Sequence, residues 1–206
     1  MNSLYAITDS QLMPGEKLFS GVELALKGGC KFVQYRDKSL DASKRLNDAR
    51  KLLTLCNQYN ANLIINDDVQ LAHRINAQGV HMGQGDGDVS AARKLLGARA
   101  IIGVTCHDSL ELAKKAVADG ASYIAFGRFF SSHTKPGARP APLALLTQAK
   151  IQFPDITIAA IGGINIENAP SVLASGANLI AVCHGLFATK DITAQAVLFN
   201  SLMPNH

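Results

Sequence analysis

The chain has 206 residues, enough for one domain with a sizeable core and too few for two comfortable ones. Apolar residues make up 48% and charged residues 17%, which excludes a disordered chain, and no uninterrupted apolar stretch approaches the roughly 20 residues of a membrane helix. The net charge of +4 is spread along the sequence without a basic cluster and without tryptophan, which argues against a nucleic-acid partner and suits small anionic substrates.

The first residues lack the basic and apolar segments of a signal peptide, and a strand is expected over Leu4 to Thr8 with no helix before it. Gly29 then precedes a second apolar run, Lys31 to Tyr35. Leu46, Ala49, Leu52, Leu53 and Cys56 follow at helical spacing. A third strand is expected over Asn62 to Asn66, a fourth over Val80 to Met82 after Gly79, and a fifth over Ala100 to Val104. Leu110, Ala113, Ala116 and Val117 mark another helix. Gly120 precedes a sixth strand, Ser122 to Phe126; a seventh runs from Ile156 to Ile161, and Gly176 introduces the eighth, Leu179 to Cys183. Each of these four glycines is expected to end the preceding helix in the left-handed conformation.

Strand and helix therefore alternate, as in parallel α/β proteins whose crossover helices cover a buried sheet. Eight such units predict a closed (β/α)8 TIM barrel, one catalytic domain over residues 1–206, with short turns because such barrels usually take about 250 residues. An open doubly wound sheet would instead place a glycine-rich fingerprint after the first strand, where this chain has Asp9, Ser10 and Gln11. Cys30, Cys56, Cys106 and Cys183 form neither a zinc spacing nor a disulfide framework, so reduced, mostly core cysteines and a cytoplasmic location are expected.

In a barrel, chemistry collects where the strands end. Gln34, Arg36 and Lys38 stand two apart, so a strand turns an amide, a guanidinium and an ammonium toward one face, an arrangement that calls for an anionic ligand. Asp67 and Asp86 follow neighbouring strands and could share a hard divalent cation such as Mg2+. Helix capping is the alternative, since Asp67 and Asp68 both precede a helical run. Ser132, His133, Thr134 and Lys135 sit in a loop after the sixth strand that could close over a phosphorylated substrate. Gly162 and Gly163 end the seventh strand and Cys183 and His184 the eighth, the usual phosphate-binding corner of a barrel.

Taken in order, Leu4 to Asp9, Val33 to Lys38, Ile64 to Asp67, Val80 to Asp86, Ile102 to Thr105, Phe126 to Lys135 and Ala160 to Ile164 resemble the motifs of the thiamine phosphate synthase family, over residues 4 to about 188. The resemblance implies a pyrimidine diphosphate bound by Gln34, Tyr35, Arg36, Asp37, Lys38, Asn66, Thr105 and Lys135, and magnesium held by Asp67 and Asp86. It places a thiazole phosphate, carboxylated or not, against Ser132, His133, Thr134, Gly163 and the backbone at Cys183 and His184. His184 stands where the family frequently has serine.

The implied reaction displaces pyrophosphate and forms a C–N bond, with release of CO2 if the thiazole carries a carboxylate. Arg36, Lys38 and Lys135, with Mg2+, would neutralise charge on the leaving group. Small molecules are then the partners, with no membrane; a homo-oligomer is compatible with the sequence. Two rivals stay open: a thiazole tautomerase using an acid or base such as His107, and a silent phosphate-binding barrel. The five charged residues Arg36, Lys38, Asp67, Asp86 and Lys135 argue against both. His81 and His107 are otherwise expected to be strand-end histidines with hydrogen-bond partners, and His73 a surface residue.

Overall fold

The structure is a computed structural model that describes residues 2–130 and 140–203. Eight short parallel strands, each bonded to its neighbours in chain order, close into a barrel. They are β1 (Ser3–Ile7), β2 (Phe32–Tyr35), β3 (Asn62–Asn66), β4 (Gly79–Met82), β5 (Ile101–Thr105), β6 (Tyr123–Gly127), β7 (Thr157–Ile161) and β8 (Leu179–Val182). Closure comes from β1 pairing with β8, where Leu4 sits beside Ile180 and Ala6 beside Val182. The helices are α1 (Lys17–Lys27), α2 (Ala42–Gln58), α3 (Val69–Ile75), α4 (Val89–Leu96), α5 (Leu110–Ala118), α6 (Ala144–Gln152), α7 (Ala169–Ala174), α8 (His184–Phe187) and α9 (Ile192–Ser201). Economy of length is achieved with strands of four or five residues and crossover helices as short as six.

Because successive strand residues point to opposite faces, the core has two parts. Leu4, Ala6, Val33, Leu63 and Ile65 face outward and pack with Ala49, Leu52 and Cys56 of α2 and their counterparts on the other helices. Tyr5, Ile7, Phe32, Ile64, Tyr123, Ala125, Ala159, Leu179 and Ala181 fill the barrel itself. Gly29, Gly120 and Gly176 follow α1, α5 and α7 with φ of 90°, 94° and 113°, as the sequence pattern requires.

Gly79 departs from that pattern. Asn76, with φ of 55°, ends α3 in the left-handed conformation, and Gly79 lies within β4, where a Cβ would stand 1.9 Å from the Ile101 carbonyl oxygen. Its role is close strand approach, and the helix stop falls to an asparagine, the residue that most readily replaces glycine there. Cys30, Cys56 and Cys106 are buried thiols and Cys183 is half-buried, with no disulfide.

Candidate active site

Of Gln34, Arg36 and Lys38, only Gln34 lies within β2, which ends at Tyr35; Arg36 and Lys38 belong to the segment that follows the strand. Gln34 is buried inside the barrel, where its Nε2 donates to the Tyr5 hydroxyl at 2.7 Å. Arg36 lies two residues on, its backbone N–H held by the buried Thr8 hydroxyl at 2.9 Å. Its charge reaches the Cys183 thiol, which burial and the nearby Asp9 nonetheless push up to about 11. Lys38 pairs with the Asp67 carboxylate.

The intervening residues face the other way. The Tyr35 hydroxyl points at Asp37 and at Asp48 of α2, 3.4 Å from each, and Lys44 bridges those carboxylates at 2.6 and 2.8 Å. Burial would raise the Asp37 carboxyl, but Lys44 and the Ser39 N–H hold it down at about 2. Tyr35 and Asp37 thus tie β2 to α2 from outside the barrel, and their side chains are turned away from the mouth.

The structure also divides the aspartates that sequence could not separate. Asp68 caps α3, accepting from the Leu71 N–H at 2.8 Å, and Asp88 caps α4, accepting from the Ala91 N–H at 2.7 Å. Asp67 adopts φ of 63°, donates its N–H to the His81 carbonyl at 2.7 Å, and is left to meet Lys38 and Asp86. Asp86 is placed by the loop Gly83 to Gly87: its Oδ2 accepts from the Gly83 N–H at 2.7 Å, a fold that a side chain at Gly83 would crowd.

Burial raises the Asp67 carboxyl, but Lys38, Asp86 and Asn66 together hold it below the usual carboxylate range. Asp86 moves the opposite way, raised by burial and by the Asp67 carboxylate beside it. Two carboxylates this close disfavour each other's charge, and a divalent cation held between them would relieve that repulsion. Among the described residues no third His, Cys, Asp or Glu joins them. Such a donor set fits magnesium, which commonly takes one or two carboxylates and completes its shell with water and substrate phosphate.

Deeper in the barrel, His81 carries the hydrogen-bond partners expected of a strand-end histidine. Its Nδ1 lies 2.8 Å from the Tyr123 hydroxyl and its Nε2 2.8 Å from Thr105 Oγ1. Burial pushes its imidazole down to about 4 against the pull of Asp67, so the ring is neutral at neutral pH. Tyr123 in turn meets the Tyr5 hydroxyl at 2.8 Å. On β5, Gly103 makes room for this, since a Cβ there would fall 1.9 Å from Tyr123 Cζ.

On the far side, Gly162 and Gly163 have φ of 104° and 65°. Asn168 Nδ2 donates to the Gly163 carbonyl at 3.0 Å, fixing that peptide. Gly185 in α8 packs so closely on this loop that a Cβ would stand 2.7 Å from the Ile164 carbonyl oxygen. Gly163, Cys183 and the exposed His184 therefore sit on adjoining segments at the end of β7 and β8. Ser132, His133, Thr134 and Lys135 lie outside the described residues.

A family model described as thiamine monophosphate synthase matches residues 4–186. The chain belongs to the thiamine-phosphate synthase family. It is 53% identical over 205 residues to the thiamine-phosphate synthase of Saccharophagus degradans, covering 99% of this chain and 94% of that one. The thiamine phosphate pyrophosphorylase structure from Pyrococcus furiosus superposes with a TM-score of 0.86 at 30% identity, covering 97% of this chain and 94% of that one. A 3-hexulose-6-phosphate synthase structure, 16% identical with a TM-score of 0.72 over 97% of this chain and 99% of that one, shares the barrel alone. Membership in the thiamine-phosphate synthase family makes this chain a transferase of thiamine biosynthesis and sets aside the tautomerase and silent-barrel readings.

Sequence reasoning missed several residues that shape this site. Tyr5 and Tyr123 lie within expected strands and Thr8 at the end of one, and nothing in the sequence singles out the tyrosine pair or the Thr8 hydroxyl that holds the Arg36 backbone. Gln84 donates to the Thr105 carbonyl and Asn168 to that of Gly163. The one available signal was position: all but Asn168 are inward-facing or lie within three residues of a strand's C-terminal end.

Proposed function

We propose that the chain joins a hydroxymethylpyrimidine diphosphate to a thiazole phosphate, giving thiamine phosphate and pyrophosphate. The observation that carries this reading is the cluster of Lys38, Asp67 and Asp86 after the neighbouring strands β2, β3 and β4, with Arg36 also following β2 and the polar groups of Gln34 and Thr105 deeper in the barrel. Cations beside a carboxylate pair suit a diphosphate that arrives with a divalent metal.

In this account Gln34, Asn66 and Thr105 hold the pyrimidine, and Arg36, Lys38 and Lys135 hold its diphosphate. Asp67 and Asp86 would hold Mg2+, and charge growing on the departing pyrophosphate would be neutralised in part by that cation. Arg36 and Lys38 supply fixed positive charge to the same oxygens, which favours the separated state over the bound ester. As the C–O bond breaks, the aminopyrimidine supports a cation at its methylene carbon. The thiazole nitrogen attacks there with its lone pair, so no enzyme nucleophile is required and positioning supplies much of the remainder. A carboxylated thiazole would lose CO2 afterwards.

The thiazole phosphate would lie against Ser132, His133, Thr134, Gly163 and the backbone at Cys183 and His184. The positive φ of Gly163 and the Asn168 bond that fixes its peptide support a backbone anion site there. The backbone of Tyr35 and Asp37 would serve the pyrimidine diphosphate, since their side chains belong to the outer layer. On the same reading residues 1–206 act as one catalytic domain in the cytoplasm. No helix among the described residues is long and apolar enough to cross a membrane. The test is incubation of the two substrates with purified protein and Mg2+: thiamine phosphate and pyrophosphate should form in equal amounts, and no product with either form of the thiazole would contradict the proposal.

A further inference from the structure

The buried polar groups inside the barrel form one continuous chain. Gln34 Nε2 lies 2.7 Å from the Tyr5 hydroxyl, Tyr5 2.8 Å from that of Tyr123, Tyr123 2.8 Å from His81 Nδ1, and His81 Nε2 2.8 Å from Thr105 Oγ1. Four strands besides β2 contribute one residue each, and Gln34, Tyr5 and Tyr123 are at most 3% exposed. Among the described residues, no carboxylate or ammonium group is bonded to any of its side chains. A chain this buried is costly unless every donor finds an acceptor.

That requirement gives it a direction. An amide nitrogen can only donate, so the Tyr5 oxygen accepts from Gln34 and passes its own proton to Tyr123. Tyr123 must then donate to His81 Nδ1, and a neutral imidazole that accepts at Nδ1 carries its proton on Nε2. Nε2–H donates to Thr105 Oγ1, which leaves the threonine hydroxyl proton for a group outside the chain. At the other end Gln34 presents Oε1 as an acceptor beside its second Nε2–H. The amide cannot flip, nor the threonine proton turn inward, without reversing every link between them.

We propose that Tyr5, Tyr123 and His81 are positioning residues that fix Gln34 as an acceptor and Thr105 as a donor, and thereby select a 4-aminopyrimidine over its 4-oxo counterpart. The inference rests on the proposed pyrimidine diphosphate substrate and names what distinguishes it. An aminopyrimidine offers a donor at its exocyclic nitrogen and acceptors at its ring nitrogens, which match Gln34 and Thr105. The oxo form offers an acceptor where the amino group stood and a ring N–H beside it, so acceptor would face acceptor. Sites built to pair a polar group reject a mismatched one strongly, because a buried partner is left unpaired.

Two measurements decide it. In the wild-type protein, long-range 15N–1H correlation of the His81 ring should show the neutral Nε2–H tautomer. An Nδ1–H tautomer would overturn the assigned direction without bearing on which reaction the enzyme catalyses. Turnover of the 4-amino and 4-oxo pyrimidine diphosphates should differ by about 100-fold or more in kcat/KM in the wild type. Tyr123→Phe, which keeps the ring and removes the link, should narrow that ratio by about tenfold, with the KM for the thiazole phosphate unchanged. Discrimination that stays within twofold of wild type in Tyr123→Phe overturns the proposal. A wild type that turns over neither diphosphate refutes the reading on which it rests, and the tautomer still reports on the chain by itself.

Discussion

Asp37 offers a sharp test of how β2 is anchored. Its side chain is 2% exposed and bonded to Lys44, and its carboxyl is held at about 2, whereas a free aspartate titrates near 3.9. A depressed folded-state value means that the ionised group stabilises the fold at any pH above the unfolded value. That contribution is then lost as pH falls toward the folded one. A gap of about 2 units corresponds to roughly 2.6 kcal/mol. The Lys44 end is 44% exposed, so screening trims this to about 2 kcal/mol. Asp37→Asn should therefore be less stable by about 2 kcal/mol near neutral pH, measured by urea unfolding followed by far-ultraviolet circular dichroism. Repeated down to about pH 3, the difference from wild type should shrink to roughly half, because wild-type Asp37 is then gaining a proton in the unfolded state. A difference that stays constant over that range would refute the assignment of Asp37 to a buried ionic anchor.

Three further outcomes follow from single contacts. Gly103→Ala places a Cβ 1.9 Å from a Tyr123 ring that is tethered at its hydroxyl, so the melting temperature should fall by about 5 °C or more; an unchanged melt would mean the ring can move aside. Gly83→Ala crowds Asp86 Oδ2 at 2.9 Å and should raise the Mg2+ concentration needed for half-maximal activity by about tenfold, read from a metal titration of initial rates. Asp68→Ala removes the cap of α3 together with a half-buried ion pair to Arg45 at 3.3 Å, and should cost about 1 to 2 kcal/mol in urea unfolding while leaving that metal titration unchanged.

The strands and their polar ends were legible because alternation and punctuation are local properties. Alternation separates Gln34 from Tyr35 within β2, but the strand ends there, and Asp37 is turned outward by its bond to Lys44, although the resemblance grouped residues 34–38 together. The distinct duties of Asp67 and Asp68 were not legible. Both precede α3, and only the left-handed backbone at Asp67 turns it from the helix toward Asp86. The Tyr5–Tyr123–His81 chain was further out of reach. It joins positions up to 118 residues apart, and nothing local marks a strand tyrosine whose hydroxyl will find a partner across a closed barrel. Asn76 in place of glycine as the stop of α3 shows the same limit at short range, because Gly79 lay close enough to be mistaken for it.

If Asp67 and Asp86 serve a magnesium-assisted loss of pyrophosphate, turnover requires both the metal and the carboxylates. The most direct measurement is thiamine phosphate formation from the two substrates with and without Mg2+, in the wild type and in Asp67→Ala. Metal-dependent product is expected in the wild type, with a collapse of activity in the variant and the fold retained. Equal rates in the presence and absence of the metal, or a variant as active as wild type, would contradict that role for Asp67 and Asp86.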